Sequence, residues 1–136
     1  MIANRPARSN AAHTVLIVED HDRTREAVRE WLNFVFPSFE LLEARNGEEA
    51  LQLAAQRAPE VVLMDIELPG MKGIEAARRM KLAVPGVRVV MLSIYSAPEY
   101  RSAAAAAGAE AYVTKTTMHQ ELVPTLQRQL DLNGAH

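Results

Sequence analysis

The sequence predicts an α/β, flavodoxin-like doubly wound fold: five parallel strands in the order 2-1-3-4-5 with five helices. Three observations lead there. Short apolar runs recur at 14–19, 39–44, 60–65, 87–94 and 110–115; stretches of helical length and amphipathic spacing separate them; and the runs are continuously apolar, as strands covered on both faces require.

The first strand carries Val15-Leu16-Ile17-Val18, and the helix after it places Val28, Trp31, Leu32, Val35 and Phe36 on one stripe until Pro37 stops it. Asn46-Gly47-Glu48-Glu49 opens the second helix, with Asn46 capping the Glu49 amide and Glu49 reaching back. Leu51, Ala54, Ala55 and Ala58 are its expected buried face, and Pro59 its end. Val61-Val62-Leu63-Met64 leads into Asp65, and Ile74 to Val84 forms a third helix closed by Pro85-Gly86. Val87 to Leu92 is the fourth strand. A capping box at Ser96-Ala97-Pro98-Glu99 starts the fourth helix, which packs Ala103 to Ala107 close on the sheet and ends at Gly108. The fifth strand ends in Lys115, and the fifth helix runs from about Thr117 to Leu132 with Pro124 inside it.

At 136 residues and 15.0 kDa the chain is one domain with no room for a second folded module. The expected organisation is a disordered N-terminal tail over 1–13, the folded domain over 14–132, and 133–136 as a C-terminal tail or the start of a linker. The absence of cysteine removes disulfides, thiol catalysis and thiolate metal sites, which favours oxygen ligands and magnesium over zinc. A net charge of −2 with dispersed arginines offers no attraction to nucleic acid, and Arg78, Arg79 and Lys81 read as a solvated helix face. No run is long enough to span a membrane, and Met1 to His13 lacks a signal peptide's apolar core, so a cytoplasmic location is expected.

The chemistry gathers at strand ends. Glu19-Asp20 follows the first strand and Asp65 closes the third, the two strands that flank the switch point of such a sheet. An acid after a strand often only caps a helix or faces water, but three in one crevice repel one another unless a divalent cation sits among them. Ser93 and Lys115 end the fourth and fifth strands and supply donors for phosphoryl oxygens. Asp65, expected to be ionised at neutral pH, is then a carboxylate nucleophile that needs no general base.

These residues give the chain its resemblance to a known family. Val15 to Asp20 with His21, Asp65 with Leu68-Pro69-Gly70-Met71 and Gly73, Ser93, and Tyr112-Val113-Thr114-Lys115 together resemble the receiver domain of two-component response regulators, over about 14–132. Asp20-His21, Met91-Leu92-Ser93 and Ala107-Gly108-Ala109 are similar to the subfamily that usually carries a LuxR-type helix-turn-helix output. The resemblance implies that Asp65 is the phosphoacceptor and that Glu19, Asp20 and Asp65, with the main-chain carbonyl of Glu67, hold Mg2+. It also implies that Ser93 and Lys115 assist transfer, that Ser93 and Tyr112 form the switch, and that Glu67 and Tyr95 tune the phosphate lifetime. The implied activity is self-catalysed phosphoryl transfer and autodephosphorylation rather than turnover of an outside substrate. Implied partners are a histidine kinase or histidine phosphotransfer protein, a downstream target or second receiver, and a second copy in a phosphorylation-dependent homodimer.

Two other readings stay open. A haloacid-dehalogenase-type phosphatase also uses a strand-end aspartate, although Glu67 stands where its second aspartate belongs and Pro69 where its threonine does. A pseudo-receiver would share the fold and never take phosphate.

Overall fold

Strand and helix alternate along the whole of the computed structural model, which describes residues 13–131. The elements are β1 (Thr14–Val18), α1 (Asp22–Val35), β2 (Glu40–Ala44), α2 (Gly47–Arg57), β3 (Val61–Asp65), α3 (Gly73–Ala83), β4 (Arg88–Ser93), α4 (Pro98–Ala106), β5 (Ala111–Thr114) and α5 (Met118–Gln129). All strand pairings are parallel and the order is β2-β1-β3-β4-β5, as expected from the sequence. The expected tails at 1–12 and 133–136, and Leu132, lie outside the described residues.

The period of two along a strand divides the core into two layers. Leu16, Val18, Val62, Met64, Val89 and Met91 face α2, α3 and α4, where Ala50, Ala54, Ala76, Ala77, Met80 and Ala104 meet them. Val15, Ile17, Leu63, Val90, Leu92 and Val113 face the other way, onto Val28 and Leu32 of α1 and Leu122 and Leu126 of α5. β1 and β3 lie in the middle of the sheet and are buried along their whole length, so the acids at their ends rest on a rigid base.

Four local expectations are corrected. The buried face of α2 is Gly47, Ala50 and Ala54, with Leu51 half-buried, while Ala55 and Ala58 are exposed. The helix turns this way because α2 lies against α3, where a Cβ on Gly47 would stand 3.2 Å from that of Ala76. In α4 only Ala104 and Ala107 of the alanine run are buried. That helix has no capping box: Pro98 takes its first turn, which leaves Ala97 at the N-cap with no side chain to accept a bond. Lys81 is drawn off the solvated face. Its ammonium donates to the Val87 carbonyl (2.7 Å) and reaches Glu110 (2.5 Å), whereas Arg78 and Arg79 stay exposed beside Glu75.

At the N-terminal edge of the sheet, His13 bonds Glu60 (2.8 Å), and Glu60, Arg88, Leu130 and Asp131 line one shallow hollow. The functional residues lie at the opposite edge.

Candidate functional site

The loop after β1 brings Glu19 and Asp20 to the crevice, β3 brings Asp65, β4 brings Ser93, and Lys115 follows β5. Lys115 joins the two sides: its ammonium donates to Glu19 Oε1 at 2.7 Å and to Asp65 Oδ2 at 3.2 Å. Glu19 and Asp65 are 4% and 6% exposed, so this pairing is shielded from solvent.

Burial sets the chemistry of each group. It raises the Asp65 carboxyl, the Glu19 charge raises it further, and Lys115 only partly opposes them, which leaves Asp65 at about 6 rather than the ordinary carboxylate value. Asp65 is still largely ionised at pH 7, with less margin than the sequence suggests. Burial also pushes Glu19 up, but the Lys115 hydrogen bond and charge, with help from His21, hold it below its usual value. For Lys115 the desolvation that lowers its pKa is outweighed by Glu19 and Asp65, so it remains firmly protonated.

The remaining acid is held differently. Asp20 Oδ1 is buried and accepts no hydrogen bond among the described residues, although the His21 ring nitrogen stands 3.4 Å away. His21 is exposed, and its amide (3.2 Å) and Nδ1 (3.0 Å) both engage Glu19 Oε2. Hydrogen bonding to Glu19 and the charges of Asp20 and Glu19 raise the imidazole pKa. Glu19, Asp20 and His21 each offer a donor atom within 4.8 Å of the others. An orphaned buried carboxylate oxygen next to the Glu19 carboxylate fits a hard divalent cation such as Mg2+.

The loop after β3 is built by close approach. A Cβ on Gly73 would meet the Asp65 carbonyl oxygen at 1.9 Å, so only glycine lets α3 start directly beneath the acid. The Glu67 amide donates to Asp65 Oδ1 (3.3 Å), while its side chain turns to solvent and pairs with Lys72 at 3.1 Å. Opposite, Ser93 Oγ is buried and accepts from the Tyr95 amide (3.0 Å). The Tyr95 carbonyl accepts from the Tyr112 hydroxyl (2.6 Å), the Tyr95 ring stacks on Tyr100 at 4.5 Å, and Arg101 covers the Tyr112 ring. Ser93 and Tyr112 are thus linked through one main-chain segment.

The structure joins Glu19 and Asp65 through Lys115, groups Asp20 with Glu19 and His21, and puts the Glu67 side chain outside. Two residues were given no role from sequence: His21 and the buried Arg25, whose guanidinium bonds the Glu19 carbonyl at 2.9 Å.

Comparison with known proteins decides the family, because a model of the response regulator receiver domain matches residues 15–127. The chain belongs to the response regulator receiver family. This receiver is 32% identical over 114 residues to Response regulator GacA of Pseudomonas aeruginosa, an alignment covering 84% of this chain and 53% of that protein. Response regulator UvrY of Escherichia coli is 32% identical over 113 residues, 83% of this chain and 52% of the other. The receiver therefore spans about half the length of the curated relatives it matches. Among solved structures, a LuxR-family two-component response regulator from an Aurantimonas species superposes with a TM-score of 0.83 at 30% identity, covering 89% of this chain and 86% of the other. A CheY-like receiver domain protein from Methanospirillum hungatei gives 0.80 at 27%, covering 88% and 94%. Membership favours a phosphorylation-dependent signalling switch over a haloacid-dehalogenase-type phosphatase or a pseudo-receiver. No described helix is long and apolar enough to cross a membrane.

Proposed function

We propose that this receiver takes a phosphoryl group onto Asp65 from a phosphohistidine of a histidine kinase or phosphotransfer protein, acting in the cytoplasm as one domain over 14–132. Asp65 Oδ attacks phosphorus, the O–P bond forms as the P–N bond breaks, and the electron pair stays on the donor imidazole nitrogen, which is protonated as it leaves. The observation that carries this reading is the Lys115 ammonium set between Glu19 and Asp65 at 2.7 and 3.2 Å. It is already positioned to pair with a phosphoryl oxygen once Asp65 gives up an oxygen to phosphorus.

Glu19, Asp20 and Asp65, with the Glu67 carbonyl, would hold Mg2+, which when bound neutralises charge on the transferring phosphoryl oxygens. The Ser93 hydroxyl donates to the phosphoryl group, and Tyr112 follows it inward. Glu67 and Tyr95 flank the path of the water that later hydrolyses the acyl phosphate. No outside substrate is turned over. The changed face around Tyr112 is read by a downstream protein, a second receiver or a second copy of the chain.

Intact-mass measurement tests the reading. Acetyl phosphate with Mg2+ should add one phosphoryl group, chelation of the metal should prevent it, and Asp65→Asn should abolish it. Equal labelling of Asp65→Asn, mapped to another residue, would overturn the assignment.

A further inference from the structure

Asp20 is the acid of the crevice whose Oδ1 has no hydrogen-bond partner among the described residues, yet the residues before and after it are held firmly. The Glu19 amide donates to the Ala44 carbonyl (3.1 Å) and the His21 amide to Glu19 Oε2 (3.2 Å). The two carbonyls that flank Asp20 are both taken by one residue. The Arg25 amide donates to His21 O at 2.9 Å as the first bond of α1, and Arg25 Nη1 donates to Glu19 O at 2.9 Å. The other guanidinium donors are fixed as well, Nε on Glu43 Oε1 of β2 (2.9 Å) and Nη2 on Asp22 Oδ1 (2.8 Å). The residue is 8% exposed.

We infer that Arg25 is a positioning residue for divalent-cation binding: by clamping the Glu19 carbonyl between α1 and β2 it fixes the peptide plane that aims Asp20 into the crevice. This rests on the reading proposed above, in which Glu19 and Asp20 are cation ligands. Arg25 touches neither the cation nor the phosphoryl group. Its planar fork is needed because three acceptors in different directions must be met at once, which the single ammonium of a lysine cannot do. Partners of this kind, behind the ligands, typically cost 10- to 100-fold in metal affinity when removed.

Charge alone gives the opposite sign. Removing a cation beside a cluster of acids should strengthen divalent binding, so weaker binding separates positioning from electrostatics.

Calorimetric titration of Mg2+ into the folded chain, paired with acetyl phosphate labelling at graded Mg2+, tests the proposal. Arg25→Gln removes the guanidinium while its amide still closes the helix, and Arg25→Lys keeps the charge and most of the stem in case the first variant is poorly folded. Both are expected to bind Mg2+ about 10-fold more weakly. Saturating Mg2+ should restore labelling to within about twofold of wild type, because Asp65 and Lys115 are untouched. Arg29→Gln is the control: Arg29 pairs with the same Glu43, from its other oxygen, at 3.2 Å without reaching Glu19, and its loss should leave affinity unchanged. Unchanged or tighter Mg2+ binding in Arg25→Lys would overturn the proposal, as would equal weakening in Arg29→Gln. Failure of the wild type to label at Asp65 would instead strike the functional reading, since the metal titration reports on Arg25 independently.

Discussion

Asp65 is held at a cost that pH can expose. Its carboxyl is raised from 3.8 to about 6 by burial and by Glu19, so the folded chain keeps a proton that the unfolded chain releases. That contribution to stability is fully present below about pH 4 and is lost as pH rises through 6. Asp65→Asn should therefore stabilise the metal-free chain by about 1–3 kcal/mol at pH 7–8 and have little effect near pH 4, as denaturant unfolding across that range will read. For the proposed switch pair, Ser93→Ala should still label at Asp65 but weaken the response at Tyr112, because the Ser93 hydroxyl is what holds the Tyr95 amide and, through the same residue, the Tyr112 hydroxyl. Identical shifts of the Tyr112 ring resonances in wild type and Ser93→Ala on phosphorylation would refute that coupling. Tyr95→Ala should shorten the phosphate lifetime, followed as the decay of the labelled mass. The crevice residues were legible in the sequence because each sits immediately after an apolar run, where a parallel sheet delivers its side chains. Arg25 was not: it lies six positions beyond Glu19 inside a helix, and its partner Glu43 belongs to a strand that only the fold brings near.

At the scale of the element, helix starts were readable where a polar side chain made the cap and unreadable where packing chose it. Asn46 Oδ1 accepts from the Glu49 amide at 2.8 Å, and Glu49 reaches back to the Arg45 amide at 2.7 Å, one residue earlier than a capping box requires. Asn46→Ala should cost about 1 kcal/mol in chemical denaturation. The four-residue spelling at Ser96 looked equally strong and formed no cap, since the fixed φ of Pro98 commits position 98 to the helix and leaves Ser96 outside. Alanine-rich faces of α2 and α4 were likewise ambiguous, because many alanines at adjacent angles are equally apolar and the neighbouring helix selects among them. The leucines of α5 carry more information. Leu126 is fully buried between α5 and the sheet, and Leu126→Ala should lose about 2–5 kcal/mol in the same measurement.

For the molecule as a whole, net charge −2 and the absence of a basic stripe predict no affinity for random duplex DNA, phosphorylated or not. Salt-sensitive micromolar binding by fluorescence anisotropy would contradict that. Strand order was legible because parallel crossovers admit few arrangements, and the crevice followed from it; which surface is read by a partner was not, since exposed side chains carry no packing signature. One feature of the layout bears on how the molecule can be handled. His13 and Asp131 both lie at the edge of the sheet that carries Glu60 and Arg88, a full strand length from Asp65. A fluorophore or a surface tether attached at position 13 or 131 therefore leaves the crevice open to a bulky donor, and receiver immobilised there should capture phosphoryl groups as readily as free receiver does.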